Sequence, residues 1–108
     1  MKKLVVLLVV VLAAALFAGC NPDPEATYRV TYYSNDSTYG NPPIDRNEYK
    51  IGEEATVLGP NTLLRTGYSF LRWNTNADGT GRAYLKDEKI TINGPVSLYP
   101  VWGQVPRP

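Results

Sequence analysis

A long apolar run near the amino terminus limits what the rest of this 108-residue chain can fold into. Residues 4–18 are fifteen consecutive apolar residues that follow two lysines, and small residues and a proline-containing segment come after them. A basic start, an apolar stretch of this length and small residues before a cleavage point are typical of a secretory signal peptide. A retained transmembrane helix is the weaker alternative, because it needs about 20 apolar residues. We therefore expect a cleaved signal peptide, which leaves a short chain to form the folded domain.

The end of the apolar run carries a more specific pattern around the single cysteine of the chain. The sequence Leu-Phe-Ala-Gly-Cys at residues 16–20 resembles the lipobox of bacterial lipoproteins. The resemblance implies cleavage between Gly19 and Cys20, a diacylglyceryl group on the Cys20 thiol and acylation of the new amino terminus. Several acyl chains bind a membrane more firmly than one, since each buried CH₂ contributes about 0.8 kcal/mol. The alternative is a conventional signal peptide that happens to end beside a free cysteine.

Composition then excludes several classes of function for the mature chain. Removal of residues 1–19 leaves 89 residues with nine Lys and Arg against ten Asp and Glu, so no basic footprint for nucleic acid exists. The chain has no histidine, which removes the commonest general base and metal ligand. A single cysteine excludes an internal disulfide and a zinc site built from cysteines. We expect a non-enzymatic protein without a cofactor or a bound metal.

Short strands separated by turns account for the mature chain after a tether. The predicted strands cover residues 28–33, 55–58, 68–73, 89–92 and 96–102, with a hairpin turn over 74–81. The apolar alternation slips between Phe70 and Leu71, which predicts a bulge or burial of both faces. Pro100 cannot donate a backbone hydrogen bond, so its strand lies at an edge or pairs on one side there. The expected fold class is mainly β, α+β at most, with a small twisted sheet of about four to five strands.

Four motifs follow one another in a set order along the predicted strands. They are Tyr-x-x-Gly at 49–52, Gly-Tyr-x-Phe-x-x-Trp at 67–73, Asp-Gly-Thr-Gly at 78–81 and Leu-Tyr-x-x-Trp at 98–102. This order resembles the Listeria–Bacteroides repeat, the module known from the B repeat of internalin B. The motif core consists of Gly67, Tyr68, Phe70, Trp73, Leu98, Tyr99 and Trp102. The resemblance implies a β-grasp-like fold on a bacterial surface protein, although Arg72 stands where the family typically has glycine.

These patterns divide the chain into four parts. We expect a signal peptide at residues 1–19, the lipidated Cys20 with a proline-containing tether at 20–27, the repeat-like domain at 28–102 and a short tail at 103–108. A seven-residue tether after the cysteine would span at most about 25 Å, so the domain would stand close to the bilayer.

Two acidic patterns are weighed as sites and set aside. Asn-x-Asn-x-Asp-Gly at residues 74–79 imitates the start of an EF-hand loop, but Leu85 occupies the position of the closing Glu. A hairpin turn is therefore favoured over a calcium site. The carboxylates available for glycosidase chemistry are Asp45, Glu53, Glu54, Asp87 and Glu88. That chemistry would need two of them about 5 to 10 Å apart across a cleft, which a β domain of this size rarely forms.

Aromatic side chains are the ambiguous group, because each could serve the core or a ligand. We expect six of them in the core: Tyr28, Tyr32, Tyr68, Phe70, Trp73 and Trp102. Four others fall out of phase or in loops and are expected to be exposed: Tyr33, Tyr39, Tyr84 and Tyr99. Tyr33 and Tyr99 are the candidate contact residues.

The resulting hypothesis is a membrane-anchored bacterial surface lipoprotein whose β domain mediates adhesion or protein binding. The alternatives are a structural subunit of the cell envelope and a carbohydrate-binding module. The expected partners are the membrane, through the lipid on Cys20, and a protein at the cell surface; a glycan belongs to the last alternative, and no nucleic acid is expected. Asn21 after the cysteine favours the outer membrane if the cell is Gram-negative, with the domain facing the periplasm or the exterior. A protein partner would use the patch around Tyr33 and Tyr99, or the sheet edge opposite the one that Pro100 interrupts.

Overall fold

The computed structural model describes residues 23–106, so the predicted signal peptide, Gly19 and Cys20 lie outside the described residues. Within this range the chain forms six strands and no helix. They are β1 (Val30–Tyr32), β2 (Glu54–Thr56), β3 (Tyr68–Asn74), β4 (Ala83–Tyr84), β5 (Lys89–Thr91) and β6 (Val96–Gln104). The prediction of a mainly β domain is confirmed.

The strands form two sheets instead of the single sheet expected. The larger sheet has the order β1-β6-β3-β4, and the smaller pairs β2 with β5 in antiparallel orientation. β1 runs parallel to β6, with Val30 opposite Val96, while β6 and β3 are antiparallel. The first and last strands of the domain therefore lie side by side, and every other strand belongs to the long connection between them.

A single hydrophobic core lies against one face of the four-stranded sheet. Its buried apolar members are Val30, Tyr32, Ala55, Val57, Leu63, Trp73, Tyr84, Ile90, Ile92 and Leu98. The fully buried Trp73 packs edge-on against Tyr32, with ring centroids 4.9 Å apart, and against Phe70 at 5.0 Å. Its indole Nε1 donates to the carbonyl oxygen of Leu58 at 2.8 Å, which links the sheet to the loop below it. Apolar contact and a satisfied polar group thus stabilise the same side chain.

One aromatic prediction is wrong. Tyr84 was expected to be exposed, but only 7% of its surface is accessible. The two-residue strand β4, which the sequence pattern does not indicate, places it opposite Trp73 on the covered face. Of the six aromatics expected in the core, Tyr32 and Trp73 are buried and the other four are half-buried.

Pro100 lies in an internal strand, so its predicted place at a sheet edge is wrong. β6 sits between β1 and β3, and Pro100 is opposite Trp73 of β3. On the other side of β6, the pairing with β1 ends at Leu98. No carbonyl of β1 therefore lies opposite Pro100 to accept the hydrogen bond that proline cannot donate. The alternative of one-sided pairing is therefore confirmed.

The bulge expected near Phe70 is confirmed and has a structural consequence. The register between β3 and β6 shifts between Phe70 and Arg72, so Leu71 is the extra residue. A bulge lets two adjacent residues oppose one residue of the partner strand. Phe70 accordingly contacts the core, while Leu71 is exposed.

The segment predicted as a tether is folded over its second half. Asp23 begins a turn in which the backbone N–H of Ala26 donates to the Asp23 carbonyl at 3.0 Å. Tyr28 then forms an isolated antiparallel bridge with Tyr49. The chain is thus attached to the domain before β1 begins.

Candidate binding surface

The four-stranded sheet has one covered face and one open face. Side chains alternate along a strand, so the neighbours of buried Tyr32 and Leu98 point away from the core. The surface that results is called the open face here and is defined by Tyr33, Leu71, Arg72, Tyr99 and Val101.

Tyr33 and Tyr99 form a stacked pair on the open face. The parallel register places Tyr32 beside Leu98, and the Tyr33 N–H donates to the Leu98 carbonyl at 2.9 Å, which brings Tyr33 next to Tyr99. The ring centroids are 4.7 Å apart, with an angle of 12° between the planes. Tyr33 is 38% exposed and Tyr99 is half-buried. The two predicted contact residues therefore meet in one patch; whether they contact a partner stays a prediction.

Leu71 extends the open face as an apolar surface toward the far end of β6. A Cβ built on Gly103 would lie 2.8 Å from a methyl carbon of Leu71, so this side chain covers the backbone of Gly103. Leu71 is nevertheless 41% exposed. Val101, two residues after Tyr99 on the same face, lies between the tyrosine pair and Leu71 along β6.

Arg72 supplies a positive charge beside this apolar strip. It is exposed, lies opposite Val101 in the ladder and forms no ion pair with any residue that the structure describes. The sequence identifies Arg72 only as a departure from the family pattern. Arg72 lies on the open face because of the bulge at Leu71. The sequence predicts that bulge but does not show on which face Arg72 lies.

The other motif residues serve the fold around this face. Gly67 has a φ of 82°, a backbone conformation that other residues rarely adopt, and it precedes β3 in a turn. The guanidinium of Arg65 lies over the ring of Tyr68, with Cζ 3.7 Å from the ring centroid. Trp102 contacts Phe70 edge-on and donates from Nε1 to the Asn35 carbonyl at 2.9 Å. This last bond attaches the loop after β1 to β6.

The carboxylate of Asp45, one of the acidic groups weighed for glycosidase chemistry, is buried. Asp45 accepts hydrogen bonds from the backbone N–H and side-chain amide of Asn47, both at 2.9 Å, and from the Tyr49 hydroxyl at 2.6 Å. Burial raises the pKa of the Tyr49 phenol, and its hydrogen bond to the Asp45 carboxylate raises it further. A groove of about 570 Å³ lies alongside, but its carboxylate is already engaged by protein donors. The network is therefore structural.

The acidic turn after β3 is a hairpin held together by Asn74. The buried side-chain oxygen of Asn74 accepts from the N–H groups of Asn76 and Gly81 at 2.9 Å, and its amide donates to the carbonyls of Gly79 and Gly81 at 3.2 Å. Hydrogen bonds from Thr80 lower the pKa of Asp78. The side-chain oxygens of Asn74 and Asp78 are thus used by the turn itself. Among residues 23–106, no group of three or more His, Cys, Asp or Glu side chains is placed to hold a metal ion.

The edges of the large sheet are β1 and β4, so the edge proposed from Pro100 does not exist. β1 is three residues long, and a cleft of only about 180 Å³ separates it from the loop at residues 42–45, which contains two prolines. β4 has two residues. Short edges and nearby prolines disfavour the addition of a partner strand. The patch around Tyr33 and Tyr99 is the better of the two predicted surfaces.

Comparison with known protein families gives one clear match. The profile of the Listeria-Bacteroides repeat domain matches residues 28–101, which is more than half of the chain. The chain belongs to the Listeria-Bacteroides repeat family. The resemblance drawn from the motifs is thereby confirmed at the level of the family, while the β-grasp likeness stays an expectation.

Two curated relatives contain a segment similar to this Listeria-Bacteroides repeat domain. Both are proteins of Evansella cellulosilytica. One, named "Putative membrane protein", is 36% identical over 76 residues, which are 69% of this chain and 11% of the relative. The other, named "Putative Gly-rich membrane protein", is 35% identical over 63 residues, which are 58% of this chain and 7% of the relative. This chain thus spans about a tenth or less of their length, and no solved structure matches it.

No helix within residues 23–106 is long and apolar enough to cross a membrane. The residues that would attach the chain to a membrane, Gly19 and Cys20, lie outside the described range.

Proposed function

We propose that this protein is a lipid-anchored protein of the bacterial cell envelope whose repeat domain binds another protein through the open face, without catalysis. Three observations support the anchoring and the location. The lipobox-like residues 16–20 precede the domain, the chain belongs to the Listeria-Bacteroides repeat family, and both relatives carry names that place them in a membrane. The outer membrane is the proposed site in a Gram-negative cell.

The binding role rests on a single observation, the stacked tyrosine pair on an uncovered sheet face. A partly exposed aromatic pair continued by Val101 and Leu71 is an apolar surface in water, and tyrosine and arginine are enriched where proteins bind each other. Arg72 beside it favours a partner that presents a carboxylate next to apolar side chains. An adhesion role would be one use of such a surface.

Protein binding fits this geometry better than sugar binding. A sugar ring stacks on an open aromatic face, but Tyr33 and Tyr99 cover one face of each other at 4.7 Å. Around the pair, the side chains of the open face are aliphatic at Leu71 and Val101 and charged at Arg72, and only Thr31 and Ser97 add hydroxyl groups on the same face of β1 and β6. A carbohydrate-binding module would therefore have little aromatic surface on which to stack a sugar ring here.

The absence of catalysis in this proposal is supported by the state of the acidic side chains. Asp45 accepts three hydrogen bonds from Asn47 and Tyr49, while Glu53 and Glu88 accept backbone hydrogen bonds within turns, from Lys50 at 2.6 Å and from Leu85 at 2.5 Å. Groups that cap turns in this way are poorly suited to exchange protons with a substrate.

The anchoring half of the proposal is tested by metabolic labelling in cells. Wild-type protein should incorporate labelled palmitate and remain with the membrane fraction, and Cys20→Ala should lose both properties because it removes the thiol that would carry the diacylglyceryl group. Ser37→Ala, an exchange in a loop, is the control and should label as wild type does. Undiminished labelling of Cys20→Ala would contradict the proposal.

A further inference from the structure

We propose that the turn at residues 50–53 rests on the lipid surface of the anchoring membrane, with Ile51 as its apolar contact, so that the domain is held in one orientation. This inference rests on the proposed anchoring at Cys20. It concerns a second, non-covalent contact between the domain and the membrane.

The first step is the position at which the chain becomes part of the folded domain. In the turn that starts at Asp23, the N–H of Glu25 donates to the Asp23 side chain at 2.9 Å. The Glu25 carboxylate lies 3.3 Å from the Lys50 ammonium, and Tyr28 exchanges backbone hydrogen bonds with Tyr49 at 2.7 and 2.8 Å. The segment from Asp23 to Tyr28 thus runs antiparallel to residues 49–51, and the described chain begins close to them.

The second step is the length of chain left between that point and the anchor. Asp23 is three residues after Cys20, and three residues extend to about 11 Å at most. The seven-residue tether expected from sequence alone would have allowed about 25 Å. Because the second half of that segment is folded, an acylated Cys20 would hold the part of the domain around Asp23 and Lys50 against the headgroups.

The third step is the structure of the turn that lies there. The Glu53 N–H donates to the Lys50 carbonyl at 3.0 Å, which closes a β-turn over residues 50–53. Gly52 has a φ of 89°, as the third residue of a type II turn requires. Ile51 occupies the tip and is 37% exposed. The Gly52 N–H also donates to the Ile92 carbonyl at 2.8 Å, which fixes the turn to the end of β5. An apolar side chain is therefore presented on a rigid turn beside the anchor.

The charges around the turn identify the kind of lipid contact. Lys50 is paired with Glu25, and the Glu53 carboxylate accepts from the Lys50 N–H, so the turn offers no cluster of free cations. The acidic side chains oppose deep insertion. The contact is thus apolar and shallow, at the level of the headgroups and the first carbons of the acyl chains, and does not require anionic lipid.

This orientation places the far end of the sheet away from the membrane. Val96 lies at the end of the sheet where the chain enters β1, since its N–H donates to the Arg29 carbonyl at 3.1 Å. Gln104, at the other end of β6, is eight residues further along, which corresponds to about 26 Å of strand. The open face then runs along the side of the standing domain, where a partner can reach it.

The test uses the full, processed and lipidated chain in phosphatidylcholine vesicles. In each of the variants Ile51→Cys and Gln104→Cys (the matched control), the new cysteine has the free thiol, because the diacylglyceryl group occupies the sulfur of Cys20. Each new thiol is labelled with an environment-sensitive fluorophore. Both replaced residues are exposed, and circular dichroism checks that each variant is folded. Quenching is then measured with lipids that carry a spin label near the headgroup.

We expect the label at residue 51 to be quenched at least threefold more strongly than the label at 104, with the same ratio when phosphatidylglycerol is added. Equal quenching at both positions in protein that floats with the vesicles would overturn the orientation but leave the anchor intact. Quenching at 51 that appears only with phosphatidylglycerol would overturn the apolar contact. Protein that fails to float with the vesicles would overturn the anchor, and this inference with it.

Discussion

Replacement of Trp73 by alanine is the sharpest test of how this small domain is held together. Trp73 is fully buried, packs edge-on against Tyr32 and Phe70, and donates a hydrogen bond to the Leu58 carbonyl. Loss of a buried tryptophan side chain costs about 3–5 kcal/mol through lost transfer energy and the cavity left behind. A domain of this size has a total stability of about 5–10 kcal/mol. Trp73→Ala should therefore be marginally stable or unfolded at room temperature.

Urea unfolding followed by circular dichroism measures this effect without depending on tryptophan fluorescence. Trp73→Phe should be intermediate, because it keeps an aromatic ring but leaves the Leu58 carbonyl without its donor, at a cost of about 1–3 kcal/mol. Leu71→Ala, on the open face, should change stability by only about 0.5 kcal/mol. A midpoint for Trp73→Ala equal to that of Leu71→Ala would refute the reasoning.

Three further predictions concern the turn, the alkaline limit and the ligand class. Asn74→Ala should lower the free energy of unfolding by about 1–3 kcal/mol, because the hairpin loses the four hydrogen bonds of the buried Asn74 side chain, whereas exposed Asn76→Ala should have little effect on urea midpoints. Burial raises the pKa of Tyr32 and of Tyr49 above 10.0, so the folded state retains protons that the unfolded chain releases. The free energy of unfolding should therefore fall as the pH rises above about 10, and it should fall less steeply in Tyr49→Phe. The full chain in detergent should show no saturable binding on a broad glycan array, and reproducible binding lost in Tyr33→Ala would favour the carbohydrate alternative.

The parts of the fold that could be predicted are those encoded by local patterns. Strands β1, β3 and β6 follow from alternating apolar and β-branched residues, and the bulge at Leu71 follows from the slip in that alternation. Strand β4 has only two residues and no period to detect, so Tyr84 was misplaced. The internal position of Pro100 depends on the pairing of the first and last strands, which are far apart in sequence and leave no local signal.

The candidate surface was predictable residue by residue but not as an arrangement. Tyr33 and Tyr99 stand out because they are out of phase with the core, yet their stacking follows from the parallel register of β1 and β6. Leu71 and Arg72 join them only because of the bulge. The sequence did not predict the buried hydrogen-bond network of Asp45. A usable signal exists, because an Asp side chain often accepts from the backbone N–H two residues later, as Asp45 does from Asn47.

The central claim, that the open face binds a protein, is tested most directly by photo-cross-linking in living cells. A photoreactive phenylalanine analogue replaces Tyr33 in the full chain, and the control carries it at Leu85, which is exposed but lies outside the open face. We expect a discrete covalent adduct from position 33 that Arg72→Glu weakens, and no such adduct from position 85. No adduct from position 33, or the same set of adducts from both positions, would contradict the account.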